Sequence, residues 1–507
     1  MILHHEFIKT AKKQAKKMAI IDAALGKEFT YERALIASLM LAKHFRKTEG
    51  SYVGIMLPTS AGCFLSILGV IMAGKIPVMI NYSTGAEKNC EYAKAKCGLT
   101  TIITARSLCE KIKCNILPEM AFLEEILQEF SLFDKLGAAF TAKKSAAGII
   151  RSLPESSIED VIVILFTSGS EKEPKAVQLT HKNLGSNVED VIEVLNLTDA
   201  DSWISILPLF HVFGYNTNFW VPMVTGMTAI TYANPLDYKG IPGVIRKYKP
   251  TVITGTPIFF SGYLRESQPG DFQSLRLLIA GADKLPDALR EGYKKKHGLD
   301  LLEGYGTTET SPVVSCNPPG NSKPGSIGTV LSHVQVKITD VNTGEELAAG
   351  EEGKILVKGD LVMKGYLNDD AETASRIEDG WYDTGDMGML DIDGYLWHRG
   401  RLKRFAKIGG EMVSLVRTEN VLEQMLPAGV ECCVVEVPDT LKGARLVAAV
   451  TQKVNEKEMI QKMGDILSPI EIPKTFVLMP EMPKLGSGKI NFRLITELLQ
   501  QQVAGTE

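Results

Sequence analysis

Short apolar runs alternate with longer helical stretches over the first 280 residues of the chain. Between about residues 29 and 103, apolar runs at 52–57 and 76–80 are separated by segments with helical periodicity. Further apolar runs lie at 161–166, 203–207, 229–232, 251–254 and 275–280. Helical segments, including one at 182–195, separate these runs. This alternation predicts βαβ units arranged in largely parallel sheets.

The N-terminal segment predicts an amphipathic helix. Phe7, Ala11, Ala15 and Met18 recur at helical spacing and would share one side. The lysines nearby flank no clean apolar core with a small-residue cleavage site, so the segment does not resemble a secretory signal.

The most apolar stretch, residues 63–80, is interrupted by glycine, lysine and proline. It therefore predicts a buried helix followed by a strand rather than a membrane span. Gly69 to Lys75 has the spacing of a Walker A loop, but Ile76 stands where a magnesium-binding Ser or Thr is required. We interpret this stretch as a helix that ends at Gly74.

The pattern changes at three places in the remaining chain. Residues 132–157 are small and basic, and we interpret them as a solvated surface connection with an amphipathic helix. From residue 325, short runs such as VQVKITD and GKILVKG are separated by Gly and Asp turns, which predicts antiparallel strands. From about residue 404, helices near 418–425 and 456–467 flank strands at 431–437 and 446–451, and the boundary lies in GRLKRFAKIGG. We predict an α/β fold with a large N-terminal domain of βαβ-type sheets, an antiparallel β subdomain and a small α+β C-terminal domain.

Composition excludes several classes of function. The chain has 507 residues, which exceeds what one hydrophobic core usually serves. Its 56 basic and 60 acidic residues give a net charge of -4, so no global field favours nucleic acid or an anionic membrane, and a polyanion would have to bind at a local site. The eight cysteines form no CxxC pair, which argues against a zinc site or a redox dithiol and is typical of a reducing cytoplasm. We find no GxGxxG, HExxH or GxSxG motif.

The segment LFTSGSEKEPKAV follows an apolar run and precedes a predicted helix. Thr167, Ser168, Gly169 and Ser170 could direct hydroxyl and backbone N–H groups at phosphate oxygens, and Lys175 adds a positive charge. A plain Ser/Gly turn that caps a helix is the competing interpretation.

Four later motifs carry further candidate chemistry. In EGYGTTE, glycines beside Tyr305 would let a planar ligand approach, and Glu309 is a suitable oxygen ligand for magnesium. In YDTGD and GRLK, Asp386 could accept hydrogen bonds from paired ribose hydroxyls and Arg401 could reach a phosphate. In PKLGSGKI, Lys489 directly follows Gly488 in a glycine-containing segment that we interpret as a loop. Taken singly, each motif is as well explained by a turn or a solvated charge.

In this order and spacing, the series TSGS…PK, YGTTE, YDTGD, GRLK and GSGK resembles the adenylate-forming enzymes, which include acyl-CoA synthetases, adenylation domains and firefly luciferase. The resemblance covers about residues 29–495. Within that superfamily, FTSGSE, LPLFHVFG, GTPIFF and above all GRLKRFAKIGGEMVSL resemble the acyl-ACP synthetase half of a bacterial bifunctional 2-acylglycerophosphoethanolamine acyltransferase/acyl-ACP synthetase.

The resemblance implies a role for each matching residue. The implied phosphate loop comprises Thr167, Ser168, Gly169, Ser170 and Lys175. The implied nucleotide-binding residues beyond it are Ala282, Tyr305 and Gly306 at adenine, Thr308 and Glu309 at magnesium, and Asp386 and Arg401 at ribose. The implied mechanistic residues are Lys489 for adenylation, Lys403 as a hinge, and His211 with Phe213 as a gate. Lys172 and Ala176 depart from the usual phosphate-loop pattern.

The resemblance also implies an activity. ATP and Mg²⁺ would convert a fatty acid to an acyl-adenylate, and a pantetheine thiol of acyl carrier protein would then accept the acyl group. We expect domains at 1–402 and 403–507, a cytoplasmic location with peripheral membrane contact as an alternative, and no nucleic-acid partner. An acidic carrier protein would need a basic docking patch, for which the candidates are Arg399, Arg401, Lys403, Arg404 and Lys407.

Three other functions compete with this one. Coenzyme A could replace acyl carrier protein as the acceptor, and the sequence discriminates between them only weakly. A lysophospholipid acyltransferase would need an HxxxxD pair, which no histidine of this chain provides. A degenerate nucleotide sensor is the third alternative, and the joint presence of Glu309, Asp386 and Lys489 argues against it.

Overall fold

The computed structural model describes residues 1–167, 174–408, 411–427, 429–439, 443–484 and 490–504. The elements up to residue 180 are α1 (Leu3–Lys13), β1 (Met18–Asp22), β2 (Lys27–Thr30), α2 (Tyr31–Phe45), β3 (Tyr52–Ile55), α3 (Ala61–Met72), β4 (Ile76–Met79), α4 (Ala86–Cys97), β5 (Ile102–Thr104), α5 (Arg106–Ile112), β6 (Met120–Phe122), α6 (Leu123–Glu129), α7 (Leu132–Lys143), α8 (Ala146–Ile150), β7 (Val161–Phe166) and β8 (Ala176–Thr180). The elements from there to residue 316 are α9 (His181–Val194), β9 (Ser202–Ser205), a π-helical segment (Gly214–Trp220), α10 (Val221–Thr225), β10 (Thr228–Thr231), α11 (Gly240–Tyr248), β11 (Val252–Gly255), α12 (Pro257–Glu266), β12 (Leu277–Ala280), α13 (Asp287–His297), β13 (Leu301–Gly306), a 3₁₀ turn (Thr308–Thr310) and β14 (Val313–Cys316).

The remaining elements form the antiparallel part and the C-terminal part. The antiparallel part contains β15 (Thr329–Val330), β16 (Val334–Thr339), β17 (Gly353–Gly359), β18 (Gly365–Tyr366), α14 (Asp370–Arg376), β19 (Ile377–Glu378), β20 (Trp381–Leu390), β21 (Leu396–Arg401) and a 3₁₀ turn (Leu402–Arg404). The C-terminal part contains β22 (Phe405–Ile408), β23 (Glu411–Ser414), α15 (Leu415–Met425), β24 (Cys432–Asp439), β25 (Gly443–Val450), α16 (Glu456–Gly464), β26 (Thr475–Leu478) and α17 (Phe492–Ala504).

Two mainly parallel sheets form the body of the N-terminal domain. Within the described residues, one sheet has the strand order β15-β14-β13-β12-β11-β9-β10-β1-β2 and the other has the order β18-β8-β7-β4-β3-β5-β6. Neighbours from β9 to β13 and from β3 to β7 pair in parallel, whereas β2, β8, β14, β15 and β18 pair antiparallel at the edges. The predicted βαβ organisation is confirmed.

The antiparallel subdomain and the C-terminal domain complete the fold. Among the described strands, β16, β17, β20, β19 and β21 form one antiparallel sheet, and β24, β25 and β26 form a separate sheet covered by helices. The C-terminal domain has its own core, in which Leu422, Val434, Ala448 and Met463 are almost fully buried. The predicted fold class is confirmed.

The Walker-like stretch is a helix end followed by a strand, as its residues predict. Helix α3 is capped by Ser60, whose hydroxyl accepts a hydrogen bond from the Cys63 N–H at 3.2 Å. The chain leaves the helix at Gly74, which has a φ of 78°. Lys75 donates to the Thr48 carbonyl at 2.6 Å, so its ammonium group is held by backbone.

The N-terminal prediction is wrong in its second half. Helix α1 buries Phe7 and Ala11 as expected, but it ends at Lys13. Met18 instead begins strand β1, which pairs in parallel with β10. Because the β10 partner is some 200 residues away in the chain, local helical spacing contained no signal for this pairing.

The surface connection contains the predicted amphipathic helix, α7, followed by the short helix α8. Among the helices that the structure describes, none is both long enough and apolar enough to cross a membrane. All eight cysteines lie in described ranges and are free thiols.

Candidate active site

The predicted site residues come from strand ends of both large sheets. Thr167 follows β7 of one sheet, whereas Ala282 and Tyr305 lie at the ends of β12 and β13 of the other. Carboxyl ends of parallel strands are where α/β proteins bind ligands, because loops and helix starts converge there. Each of these residues therefore lies at the end of its sheet where ligands are usually bound.

Two hydrogen bonds between Thr167 and Lys175 close the base of the predicted phosphate loop. The Thr167 N–H donates to the Lys175 carbonyl at 3.0 Å, and the Lys175 N–H donates to the Thr167 hydroxyl at 3.1 Å. Ser168, Gly169 and Ser170 lie outside the described residues.

Lys175 is engaged by two groups that sequence analysis did not identify. Its Nζ forms an ion pair with Glu372 of α14 and lies 4.9 Å from the centre of the Tyr366 ring. The hydrogen bond from Lys175 holds the pKa of Glu372 below its ordinary value. These three residues line a cleft of about 480 Å³.

Glu309 is buried directly beside this cleft. It lies in the 3₁₀ turn after β13 together with the half-buried Thr308, and its side chain is 9% exposed. The Tyr366 hydroxyl donates to Glu309 Oε1 at 2.8 Å. Tyr366 therefore connects the predicted magnesium carboxylate to Lys175 of the phosphate loop. Burial, and then the Glu309 charge, raise the pKa of the Tyr366 hydroxyl well above its ordinary value.

Asp386 is the centre of a second polar cluster. Its carboxylate is 1% exposed and accepts a hydrogen bond from the Tyr305 hydroxyl. Arg401 Nε lies 2.9 Å from Asp386 Oδ1, and His398 Nε2 lies 3.5 Å from the same oxygen. Asp386 and Arg401 are directly opposite in the β20–β21 ladder. Sheet register therefore brings the YDTGD and GRLK motifs together.

The charge state of this cluster follows from its partners. Burial alone raises the pKa of Asp386, but the interaction with His398 and the Arg401 charge outweigh burial and hold that pKa below its ordinary value. Burial raises the pKa of the Tyr305 hydroxyl far above its ordinary value, and the Asp386 charge adds to this effect. The cluster is thus an anionic carboxylate with a protonated tyrosine donor.

Backbone geometry limits what can occupy the edge beside Tyr305. A Cβ at Gly306 would lie 1.6 Å from the Pro312 carbonyl oxygen, so only glycine fits there. Ala282 has a φ of 71°, and its neighbour Gly281 has the Phe213 ring about 3.1 Å from where a Cβ would be. This places the predicted gate residue Phe213 next to the predicted adenine segment.

His211 lies in the turn between β9 and the π-helical segment. Its side chain is exposed and its ring centroid lies 4.7 Å from that of Phe210. The π-helical segment that follows is fully buried, and such segments are frequent at functional sites.

Lys403 occupies the turn between two anchored arginines. Arg401 contacts Asp386 of the N-terminal domain, whereas Arg404 pairs with Glu419 of α15 and lies 3.9 Å over the Phe492 ring of α17. The proposed hinge residue therefore lies between an arginine that contacts strand β20 and an arginine that contacts helices α15 and α17. Lys489 lies outside the described residues.

The proposed basic docking patch is largely neutralised within the chain. Arg399 pairs with Glu352 at 2.7 Å, and Arg401 and Arg404 face the carboxylates described above. Lys407 is exposed on β22. The arginines of this patch are consequently compensated, which was not apparent from their clustering in the sequence.

The residues present fit a nucleotide and a magnesium ion. Asp386 Oδ1 is buried beside Arg401 and His398, but within the described part of the chain it accepts no well-aligned hydrogen bond, so it can accept one from a ligand hydroxyl. No group of three or more His, Cys, Asp or Glu suited to a metal occurs among the described residues. A single carboxylate such as Glu309 is typical of magnesium bound mainly through phosphates and water.

Comparison with known families assigns the chain. A model described as AMP-binding enzyme matches residues 7–367. The chain belongs to the AMP-binding enzymes. A second model, AMP-binding enzyme C-terminal domain, matches residues 418–489 of this AMP-binding enzyme.

Curated relatives agree with this assignment. The AMP-binding enzyme is 31% identical to a long-chain-fatty-acid–CoA ligase of Bacillus subtilis (strain 168), across 93% of this chain and 90% of the relative. It is 30% identical to 4-coumarate–CoA ligase 1 of Petroselinum crispum, across 90% of this chain and 83% of the relative.

Solved structures have the same fold. ATP-bound MatB from Rhodopseudomonas palustris superposes with a TM-score of 0.83 at 25% identity, covering 98% of this chain and 99% of that chain. The o-succinylbenzoate CoA synthetase of Bacillus subtilis, in complex with its acyl-adenylate intermediate, superposes with a TM-score of 0.84 at 23% identity over 97% of both chains. The prediction of an adenylate-forming acid–thiol ligase is confirmed at the level of the enzyme class.

Proposed function

We propose that this AMP-binding enzyme activates a fatty acid with ATP and transfers the acyl group to a pantetheine thiol. The acid class is supported by the 31% identical relative named a long-chain-fatty-acid–CoA ligase and by further relatives of that name at 28% identity. The residue roles are supported by the geometry of the site.

One observation carries this proposal: direct side-chain contacts link motifs that are far apart in the sequence. Tyr366 contacts both Lys175 and Glu309, while Tyr305 links the EGYGTTE segment to Asp386. The proposed phosphate-binding cation and the proposed magnesium carboxylate are thus linked through Tyr366, and the proposed ribose acceptor is linked to the same EGYGTTE segment through Tyr305, which supports binding of a nucleoside triphosphate.

In the first half-reaction, the acid carboxylate attacks the α-phosphorus of ATP. A new carboxyl O–P bond forms while the bond to the β-phosphate oxygen breaks, which gives acyl-adenylate and pyrophosphate. Lys175 would bind phosphate oxygens, and Asp386 and Tyr305 would hold the nucleoside in line. Magnesium, held by Glu309 with Thr308 nearby, would neutralise phosphate charge.

In the second half-reaction, the thiol sulfur attacks the acyl carbon, AMP leaves, and the thiol proton goes to solvent. Because a different group must now enter the site, we propose that domains 1–402 and 403–507 reorient about Lys403 between the two steps. Lys403→Pro should slow thioester formation from supplied acyl-adenylate far more than adenylation, whereas Lys403→Ala should change both little. Equal effects of the proline on both steps would reject the hinge.

The acceptor is the point on which the supporting observations differ. The relatives named CoA ligases favour coenzyme A. The GRLKRFAKIGGEMVSL segment favours acyl carrier protein. Compensation of the three arginines in the proposed docking patch weakens the argument for an acidic carrier protein. We therefore place coenzyme A first and acyl carrier protein second.

A substrate matrix tests this function. The purified chain is incubated with ATP, Mg²⁺, fatty acids of graded length or 4-coumarate, and either coenzyme A or holo-acyl carrier protein. Mass spectrometry identifies each thioester. We expect products with fatty acids and coenzyme A; carrier-protein products alone would reverse the order of acceptors. Product with 4-coumarate and none with any fatty acid would overturn the acid class.

A further inference from the structure

Helix α7 exposes a row of large apolar side chains. The exposed fractions are 85% for Phe133, 70% for Phe140, 69% for Leu132 and 57% for Leu136. We call these four residues the α7 apolar face. At 100° per residue they span an arc of about 100°, so all four side chains point the same way. Contiguous apolar surface of this kind usually marks an interaction site.

The opposite side of α7 attaches the helix to the protein. Ala138 and Ala142 are buried, and their small side chains let α7 approach the body of the N-terminal domain closely. Lys43 of α2 forms an ion pair of 2.7 Å with Asp134, and Lys12 of α1 donates to the Ala142 carbonyl at 2.6 Å. The Ser131 capping box fixes the first turn. The apolar face therefore belongs to an anchored helix and points away from the core.

Positive charge surrounds the α7 apolar face. Residues 132–151 contain four cations, and the exposed ones adjoining α7 are Lys135, Lys143 and Lys144. Asp134 is the only acidic residue in this interval, and Lys43 already neutralises it. On the helical wheel, Lys135 lies on one flank of the apolar arc, while Lys143 lies at the C-terminal end of that arc and Lys144 follows it at the C-cap. An apolar stripe flanked by lysines is the pattern of helices that lie in the surface of an anionic bilayer.

We propose that the α7 apolar face docks reversibly on a lipid bilayer with anionic headgroups. Phe133 and Phe140 would enter the boundary between headgroups and acyl chains, while Lys135, Lys143 and Lys144 pair with lipid phosphates. Charge complementarity favours this occupant over a neutral protein surface, because the lysines require anionic groups beside the apolar face. A bilayer also has an apolar interior into which the phenylalanines can insert, which an acidic protein surface lacks. The benefit to the enzyme rests on the proposed function: fatty acids partition into bilayers, so docking brings the site to its substrate.

Vesicle co-sedimentation of the full chain tests this proposal without ATP or acid. The vesicles contain phosphatidylcholine alone or phosphatidylcholine with phosphatidylglycerol. We expect binding to the anionic vesicles, weakened at least about tenfold by the double variant Phe133→Ser/Phe140→Ser. Lys143→Gln/Lys144→Gln should remove most of the preference for phosphatidylglycerol. The matched control is Ile392→Ser, because Ile392 is 92% exposed in the β20–β21 turn and should leave binding unchanged.

Three results would overturn the docking surface. The parent chain could fail to sediment with either vesicle, or Ile392→Ser could weaken binding as much as the phenylalanine variant. Sedimentation velocity could also show that the parent self-associates through the α7 apolar face and that Phe133→Ser/Phe140→Ser dissociates it, which would make a second copy the occupant. Octanoate-dependent pyrophosphate release needs no bilayer and therefore separates this test from the proposed function. Pyrophosphate release by Phe133→Ser/Phe140→Ser would show that the enzyme is intact. If the chain and its variants sediment with vesicles but none releases pyrophosphate, the proposed ligase activity is rejected and the docking surface is not.

Discussion

The two ends of the candidate site, the proposed ribose end at Asp386 and the proposed phosphate end at Lys175, differ in burial and in the partners of their charged groups. At the ribose end, Asp386 is almost fully buried and already has Tyr305 and Arg401 beside it. At the phosphate end, Lys175 is only partly buried and pairs with Glu372, a carboxylate that competes with any phosphate. With the proposed roles, the ribose end needs little reorganisation to bind a nucleoside, whereas the phosphate end must exchange the Glu372 carboxylate for a ligand phosphate.

This difference separates binding from chemistry. Groups that contact parts of the substrate far from the reacting bond contribute affinity to substrate and transition state alike. Charged groups that exchange a protein partner for a ligand can bind that ligand in one reaction step and release it in the next. We therefore expect substitutions at the ribose end to weaken nucleotide binding, and substitutions at the phosphate end to change individual reaction steps.

The largest expected effect is at Lys489, which we assign to the phosphate end from the sequence alone. Lys489→Ala should slow acyl-adenylate formation by roughly 10²-fold or more, because a positive charge on the reacting phosphate is lost. Thioester formation from supplied acyl-adenylate should persist. The matched control is Lys484→Ala, a change to an exposed lysine paired with Glu431. Equal loss of both half-reactions in Lys489→Ala would remove the distinction between the two ends.

A smaller effect is expected at the ribose end. Asp386→Asn keeps the shape of the side chain but removes the charge that Arg401 faces, and should weaken adenosine binding on the order of tenfold. Isothermal titration calorimetry measures this directly. Asp383→Asn is the control, since Asp383 lies in the same motif but pairs with Lys354 at 2.9 Å. Unchanged affinity in Asp386→Asn would show that the buried cluster is not the ribose site.

The competing carboxylate predicts a gain of affinity. Glu372→Gln should free Lys175 and lower the KM for ATP by up to about fivefold, the effect of one partly exposed ion pair. Glu378→Gln, at an exposed position of β19, should leave the KM unchanged. A higher KM in Glu372→Gln would mean that Glu372 positions Lys175 for phosphate rather than competing for it.

The smallest effect concerns pH. Because the pKa of Asp386 is held below its ordinary value, the native state releases this proton more readily than the unfolded chain. The resulting stabilisation is complete above about pH 5 and is lost as the pH falls through the depressed pKa. The thermal midpoint of the parent should exceed that of Asp386→Asn by a constant margin above about pH 5, and that margin should shrink in acid. A margin that widens in acid would contradict the assigned charge of Asp386.

The parts of the site that the sequence predicts are those whose partners are near in the chain or marked by a motif. Asp386 and Arg401 belong to one hairpin, so their pairing follows from adjacent strands. Glu372 is 197 residues from Lys175 and lies in a short helix that no motif marks. Tyr366 reaches Glu309 only because β18 pairs with β8 at the edge of a sheet. Long-range register, rather than local pattern, sets these contacts.

The same reason explains the error at the N-terminus and the success at Gly74. Strand β1 is defined by its pairing with β10, a contact that leaves no local periodicity to detect. The end of α3 is defined by a left-handed glycine and the strand that follows, both of which are local. His398, which contacts Asp386, could have been found from its position in the strand that leads to GRLK.

Fatty-acid-dependent ATP–pyrophosphate exchange tests the central claim most directly. The parent chain is incubated with ATP, Mg²⁺, labelled pyrophosphate and a soluble fatty acid, without any thiol. We predict exchange of label into ATP that requires the acid, since acyl-adenylate formation is reversible before a thiol arrives. Absence of acid-dependent exchange, in a preparation that binds ATP, would contradict the assignment of this site to fatty-acid adenylation.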